Sequence, residues 1–153
     1  SGGGHNMAAG FTLRKSNLKK FENFILKDFF KTGTLQSHTF LYDAEVSSLA
    51  FNVDFYDDIK KLEPFGTGNP TPTFLLKDLK VIKTKVLDDK HISLIFKSKV
   101  GFSIKSIAFN SINTKVGEYL LSYKNNLNVL GQINENFWNN KKTLQLTIKD
   151  VIL

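Results

Sequence analysis

Hydrophobic alternation with a period of two runs through most of the chain after residue 74, and it limits the fold more than any other feature. In residues 91–98, for example, Ile92, Leu94 and Phe96 fall on one face, as expected for a strand with one buried side. The same pattern predicts further strands at residues 74–84, 102–109, 127–134 and 143–153.

One short helix, predicted at residues 115–123, interrupts the strands. Five strands with a helix between the third and the fourth is the order of the OB-fold, a small Greek-key barrel that often binds oligonucleotides. Closure also removes the exposed edges that an open sheet would present. We therefore expect an all-β five-stranded OB-fold barrel with one short helix. In its third strand the apolar phase slips between Ile104 and Ile107, which predicts a bulge.

The sequence pattern before the barrel predicts an α+β unit with two helices and short strands. A first helix is expected from a cap at Ser16 to about residue 30, and a second at residues 53–62, capped by Asn52. Short strands are expected at residues 11–13 and 36–43. The first helix should bury an apolar face formed by Leu18, Phe21, Ile25 and Phe29.

All three prolines lie in one stretch, LEPFGTGNPTPTF at residues 62–74. Proline cannot continue a helix and pushes the preceding residue toward extended backbone, whereas glycine allows a positive φ. We expect a stiff corner that separates the two units and has a structural rather than a chemical role. The residues assigned to it are Pro64, Phe65, Gly66, Gly68, Asn69 and Pro70.

The net positive charge is confined to the second part of the chain. Residues 1–70 hold eight basic and eight acidic residues, whereas residues 71–153 hold thirteen and six, so the net charge of +7 arises there. This asymmetry indicates a polyanionic partner for the barrel, although lysines also serve simply as solvated surface. Because Arg14 is the single arginine, bidentate reading of bases is not expected.

Composition excludes several classes of site. The chain has no cysteine, which rules out a disulfide framework and thiolate zinc sites, and its three histidines are scattered. No metal site is therefore expected within this chain. No apolar run reaches the roughly 20 residues of a membrane span, and the N-terminus lacks a signal pattern, so we expect a cytoplasmic protein.

A glycine-rich stretch, GGGHNMAAG, occupies residues 2–10. Glycines let the backbone approach a ligand closely, and successive exposed amides form an anion site in many proteins. His5 would then donate a hydrogen bond to a phosphate oxygen. The alternative is an ordinary frayed terminus.

Three stretches resemble the signatures of one family, in that family's order. GGGHNMAAGFTL resembles the GGHxxAAGF signature of DHHA1 domains, which other DHH phosphoesterases share. LEPFGTGNPTPTF resembles the LxPFGxGNPxPxF segment of the RecJ family, bacterial exonucleases specific for single-stranded DNA. NENFWNNKKTLQLTIKD, residues 134–150, resembles the NEWNGxxxLQL stretch of that family's OB-fold. The resemblance implies the C-terminal part of a DHHA1 domain at 1–61, a connecting corner at 62–73 and an OB-fold nucleic-acid-binding domain at 74–153.

The resemblance implies that the parent protein is a metal-dependent 5′-to-3′ exonuclease of DNA repair and recombination in the bacterial cytoplasm. Its catalytic domain, which in the family binds Mn2+ or Mg2+, would precede Ser1. This chain alone is therefore expected to be inactive and to bind no cofactor. The implied partners are single-stranded DNA, the parent's catalytic DHH domain and a single-strand-binding protein, with no membrane.

Candidate binding residues follow from the resemblance and from the charge pattern. Gly3, Gly4 and His5 match the family's GGH, which the resemblance implies would hold a DNA phosphate beside the metals. In the barrel, lysines would neutralise phosphates and aromatic rings would stack on bases. The remaining candidates are Arg14, Lys83, Lys85, Lys97, Lys99, Lys105, Lys141 and Lys142, with Phe137 and Trp138 as stacking platforms.

The final hairpin departs from the family pattern. Asn136 and Phe137 are inserted before Trp138, and Asn140 stands where glycine is usual. Asparagine tolerates left-handed backbone, so a tight turn at residues 139–140 is still expected.

Two other functions are compatible with these patterns. In one, the barrel is an interaction module that docks the acidic tail of a single-strand-binding protein on the same lysines. In the other, the parent is a DHH-family phosphodiesterase for short oligonucleotides, although the PFGTGNP corner and the added barrel argue against it.

Overall fold

The computed structural model describes residues 1–5, 8–32, 40–122, 126–138 and 141–152, without the side chains of Thr32 and Trp138. The chain forms two compact units, Ser1–Thr39 and Phe40–Leu153. Residues 40–61, which we assigned from the sequence to the first domain, therefore lie in the same compact unit as the barrel.

The first unit contains a hairpin and a helix. Strands β1 (Gly2–His5) and β2 (Ala8–Phe11) pair in antiparallel fashion. A single 3-10 turn at Lys15–Asn17 leads into helix α1 (Leu18–Thr32). The predicted helix is present, but Ser16 lies inside the 3-10 turn instead of capping α1.

The apolar face of α1 is not buried within the described residues, which corrects the expectation from the sequence. Phe21 is partly buried, and its ring centroid lies 4.6 Å from that of Phe11. Leu18, Ile25 and Phe29, however, are each roughly half exposed. A two-stranded hairpin and one helix offer too little apolar surface to cover such a face.

The second unit begins with short elements. Strand β3 (Ala44–Glu45) pairs in parallel with the barrel's first strand, and helix α2 spans Val53–Lys60. Asn52 caps α2 as predicted, because its Oδ1 accepts a hydrogen bond from the Phe55 N–H at 2.9 Å. Of the strand predicted at residues 36–43, residues 36–39 lie outside the described residues and residues 40–43 are not in a strand.

The proline-rich corner joins α2 to the barrel and is held by internal hydrogen bonds. Gly66 and Asn69 exchange backbone hydrogen bonds with N···O distances of 2.8 and 3.1 Å. The Asn69 side-chain amide also donates to the carbonyls of Leu62, at 2.8 Å, and Pro64, at 3.1 Å. Neither Gly66 nor Gly68 has a positive φ, contrary to the expectation, so Asn69 rather than glycine holds the turn.

Five strands close the predicted OB barrel. The elements are β4 (Phe74–Leu87), β5 (His91–Lys97), β6 (Ser103–Ala108), α3 (Lys115–Ser122), β7 (Leu127–Trp138) and β8 (Lys141–Ile152). The neighbour order of the strands, with β3 at one edge, is β3-β4-β5-β6-β8-β7, and additional pairing between β4 and β7 completes the closure. Strands β6 and β8 are parallel, and the other barrel pairs are antiparallel.

The barrel interior is filled by the inward faces of all five strands. Ile59 of α2 and Phe65 of the corner pack against this core, which ties both elements to the barrel. Helix α3 contributes the fully buried Leu120. Gly117 allows α3 to pack closely, because a Cβ there would collide with the Ser111 carbonyl oxygen.

The bulge predicted in β6 is absent. Strands β5 and β6 pair without a register shift. The phase slip between Ile104 and Ile107 arises because Ser106 faces the core, where its hydroxyl donates to the Ile104 carbonyl at 3.4 Å. Register shifts occur instead in β4, at residues 76–79 and 81–83.

Candidate nucleic-acid interface

The outer face of β4, β5 and β6 carries an array of lysines. Residues directly opposite each other in antiparallel strands point to the same face. Lys83 lies opposite Ile95, and Ile95 lies opposite Lys105, so these three residues form one row across the sheet. In the adjacent row Lys85 lies opposite Ser93. The predicted residues Lys83, Lys85 and Lys105 are thus brought together.

Lys80 joins this array because β4 is bulged, and it was not among the predicted residues. It lies directly opposite Lys97, in the row on the other side of Lys83. Two residues three positions apart face opposite sides of a regular strand. The register shift between Val81 and Lys83 instead brings both lysines to the outer face.

The lysines at the centre of the array line a concavity of about 300 Å3, which we call the lysine groove. No acidic residue lines it, and no described carboxylate forms an ion pair with its three lysines. Asn136 of β7 and Gln145 of β8 also line it; both are uncharged and neither was predicted as a site residue. The lining residues are Lys83, Lys85, Ser93, Leu94, Ile95, Lys105, Asn136 and Gln145.

A second concavity, of about 370 Å3, holds the predicted residues Lys97 and Lys99 together with Lys80. Its electrostatics differ, because Asp78 also lines it and lies 2.8 Å from the Lys99 ammonium. Nearby, the Lys77 ammonium donates to Glu45 at 2.6 Å, and this hydrogen bond raises the pKa of Lys77. The cations of this region are therefore partly neutralised by carboxylates.

The β7–β8 hairpin carries the remaining barrel candidates toward its tip. Phe137 lies opposite Lys142, and Trp138 lies opposite Lys141. The Phe137 side chain is 64% exposed, and the Lys142 ammonium lies 3.6 Å from Glu135. The Trp138 side chain and the predicted turn at residues 139–140 lie outside the described residues.

The candidates of the first unit lie in and after its hairpin. Gly3, Gly4 and His5 belong to β1, so the GGH stretch is a paired strand rather than a loop. A Cβ at Gly4 would come within 2.7 Å of Ala9, which explains the need for small residues on both strands. Arg14 is exposed just before the 3-10 turn.

A resident metal has no candidate site in the described part of the chain. Among those residues, no three His, Cys, Asp or Glu side chains lie where they could hold an ion together. Within the same ranges no helix has the length and apolar character needed to span a membrane.

Comparisons with known proteins identify the family of the barrel and several relatives. Residues 42–150 match the family model of the RecJ OB domain. The single-stranded-DNA-specific exonuclease RecJ of Bacillus subtilis (strain 168) is 25% identical over 154 residues, which is 97% of this chain and 19% of that protein. The enzyme of the same name from Haemophilus influenzae is 29% identical over 152 residues, with 95% and 26% covered. This chain thus spans about a fifth to a quarter of the length of these curated relatives.

Two solved structures have a fold similar to that of this chain. The crystal structure of RecJ from Thermus thermophilus in complex with Mn2+ matches 100% of this chain, with a TM-score of 0.70 and 22% identity. The Mg2+ complex matches 99%, with a TM-score of 0.64 and 21% identity, and this chain covers 22% of each structure. The similarity confirms the fold, and the family match over residues 42–150 shows that this chain belongs to the RecJ OB domain family.

Proposed function

We propose that the chain is the non-catalytic C-terminal part of a single-stranded-DNA-specific 5′-to-3′ exonuclease of DNA repair and recombination. In this proposal the outer face of the barrel binds the DNA strand and guides it to a catalytic domain outside this chain. Membership of the RecJ OB domain family and the names of the curated relatives support the assignment. The parent would be a cytoplasmic bacterial hydrolase of phosphodiester bonds.

The lysine groove is the observation that carries the binding role. Its three lysines converge from β4 and β6 on one concavity that has no acidic lining residue. Unpaired lysines arranged in this way attract a polyanion and neutralise its phosphates, with release of counterions. Lys80 and Lys97 extend the same face beyond the groove.

Binding of this kind is strongly dependent on salt and has little sequence preference. For single strands, the slope of log K against log salt concentration changes by about 0.7 for each phosphate that is neutralised. If all five lysines of the array contact phosphates, the slope should be about −3.5. Lysines act as point charges, so they hold the strand without reading its bases.

The remaining site residues belong to the same proposal. Lys99, Lys141 and Lys142 would extend the electrostatic path, and Phe137 and Trp138 would stack on bases near the hairpin tip. The C-terminal part of a DHHA1 domain would lie within the first 61 residues, ahead of the corner at 62–73 that leads into the barrel strands. There Gly3, Gly4 and His5, with Arg14 following, would contact a phosphate of the strand.

The proposed partners are the catalytic domain of the parent and a single-strand-binding protein, in addition to DNA. The catalytic domain would use Mn2+ or Mg2+, the ions present in the two Thermus structures. No group of acidic residues suited to such an ion occurs in the described part of this chain. The metal would therefore act in the catalytic domain, and the residues of this chain would bind and direct the strand.

The test is a titration of the chain with labelled oligothymidine, followed by fluorescence anisotropy at several salt concentrations. The key variant replaces Lys83, Lys85 and Lys105 together by glutamine. We expect weaker binding and a salt slope that is less steep by about 2. A matched control replaces Lys60, Lys61 and Lys115, which lie outside both concavities, and should preserve the affinity.

Three results would contradict the proposal. If the groove variant binds oligothymidine as the unmodified chain does, the lysine groove is not the binding surface. If the chain binds no DNA but captures an acidic peptide through the same lysines, the protein-docking function is correct. Release of nucleotides by this chain in the presence of Mn2+ would show that it is catalytic.

A further inference from the structure

An aromatic pair lies at one end of the lysine-bearing face. The rings of Phe109 and His91 meet edge to face, with centroids 5.3 Å apart and an interplanar angle of 77°. Phe109 directly follows β6, and His91 is the first residue of β5. The Phe109 side chain is 54% exposed, so part of its ring is open to solvent while another part contacts His91.

His91 fixes one side of Phe109. The Nδ1 atom of His91 accepts a hydrogen bond from the backbone N–H of Asn110 at 2.8 Å. His91 is partly buried and lies directly opposite Leu87 across the β4–β5 pair. The imidazole is therefore held in place by its neighbours, and it supports the phenyl ring while leaving about half of that side chain open to solvent.

The pair lies on the same side of the sheet as the groove lysines. Lys85 lies opposite Ser93, and Leu87 lies opposite His91 in the next row of that face. Residues of one face repeat about every 6.7 Å along a strand, so His91 follows Ser93 at that spacing. Strands β5 and β6 pair without a register shift as far as Ala108. Phe109, the next residue, therefore lies at one end of the lysine-bearing face.

We infer that Phe109, supported by His91, is a stacking platform for an unpaired nucleobase at the end of the lysine groove. This inference rests on the proposed function and adds to it. Lysines attract any polyanion and do not distinguish a single strand from a duplex. An exposed ring selects for bases that are not already stacked and paired, because only these present a face to it.

The charges of the lysine groove are consistent with this occupant. A DNA strand whose phosphates lie along Lys83, Lys85 and Lys105 has unpaired bases that need a binding surface. His91, which contacts Phe109, lies on the same face two rows beyond Ile95. Stacking on an aromatic ring tolerates every base, so the platform would add affinity without sequence preference.

The test compares Phe109→Ala, Phe109→Leu and Phe109→Trp in the full chain. The probes are a labelled oligothymidine and an abasic oligonucleotide of the same length. Loss of the ring should weaken binding of oligothymidine by roughly 5- to 150-fold, the range for one base stacked on an aromatic side chain. Leucine should fail to restore it, whereas tryptophan should, because stacking requires the ring. Affinity for the abasic probe and the salt slope should not change.

Controls separate stacking from unfolding and from charge. Circular dichroism of each variant reports the fold, and Phe24→Ala removes another exposed phenylalanine, from the other compact unit, and should leave binding of both probes unchanged. The inference is overturned if folded Phe109→Ala binds oligothymidine normally, or if it loses affinity equally for both probes. Normal binding of oligothymidine by the glutamine variant of the groove lysines would instead overturn the proposed function. The two outcomes are therefore distinguishable.

Discussion

Lys80 on β4 lies directly opposite Lys97 on β5, and both side chains are exposed without a carboxylate partner among the described residues. Like charges at opposed positions of a sheet destabilise it. A bound polyanion would remove this repulsion. In the proposed function, binding and folding therefore make opposite demands on these two residues.

Replacement of Lys97 by glutamine should separate those demands. We expect the free energy of unfolding at low salt to rise by about 0.2–1 kcal/mol, because the repulsion with Lys80 is lost. Affinity for oligothymidine should fall, and the salt slope should become less steep by about 0.7. Thermal unfolding and anisotropy measure the two effects. Lys115→Gln, on α3, is the control, and reduced stability with unchanged affinity would contradict the prediction.

Replacement of Asp78 by asparagine should strengthen DNA binding. The change removes the carboxylate that lies 2.8 Å from the Lys99 ammonium and leaves that charge available to a phosphate. Asp78 has a positive φ of 58°, and asparagine is well suited to this backbone conformation. Because exposed ion pairs are weak, the gain should be roughly two- to fivefold.

Anisotropy across a salt series checks this prediction, with Lys99→Gln in the Asp78→Asn background as control. That double variant should lose the gain. An unchanged affinity in Asp78→Asn would show that Lys99 does not contact DNA.

Replacement of Gly117 by alanine should destabilise the barrel. The added Cβ would collide with the Ser111 carbonyl oxygen, so α3 must shift away from the core that holds Leu120. Overpacking of this kind costs about 1–3 kcal/mol, measurable by urea unfolding. Gly68→Ala is the control, because no atom lies within 4 Å of the position that its new methyl group would take and its φ is not positive. Equal stability of the two variants would contradict this account.

Replacement of Asn69 by alanine should test the structural role of the corner. The variant loses hydrogen bonds to the carbonyls of Leu62 and Pro64. Each typically contributes about 0.5–1.5 kcal/mol to the free energy of unfolding. Affinity for oligothymidine should be unchanged at a temperature where the variant is folded. A loss of affinity without a loss of stability would give the corner a binding role, and Thr67→Ala serves as the neighbouring control.

Much of the fold could be predicted because its signals are local. The alternation of Ile92, Leu94 and Phe96 reports a buried strand face within a few residues, and Asn52 marks the start of α2 through a contact three residues away. The strands and the helix between them then followed in order, and this order was enough to identify the barrel.

Other features depended on partners distant in the chain. Ser106 is buried because its hydroxyl finds a carbonyl acceptor, so a polar residue at an inward position imitated a bulge in the sequence. The half-exposed face of α1 has an ordinary amphipathic pattern, and the pattern cannot show whether anything covers it.

The chain's local patterns were therefore sufficient for the barrel, its helix and the positive charge of its second part. They could not show which lysines meet. Lys80 reaches the outer face only through a register shift in β4, and Lys83 and Lys105 share a groove only because both lie opposite Ile95. Phe109 meets His91 through the pairing of β5 with β6. Strand pairing assembles the site from segments far apart in the chain, and a one-residue shift in that pairing moves a side chain to the other face.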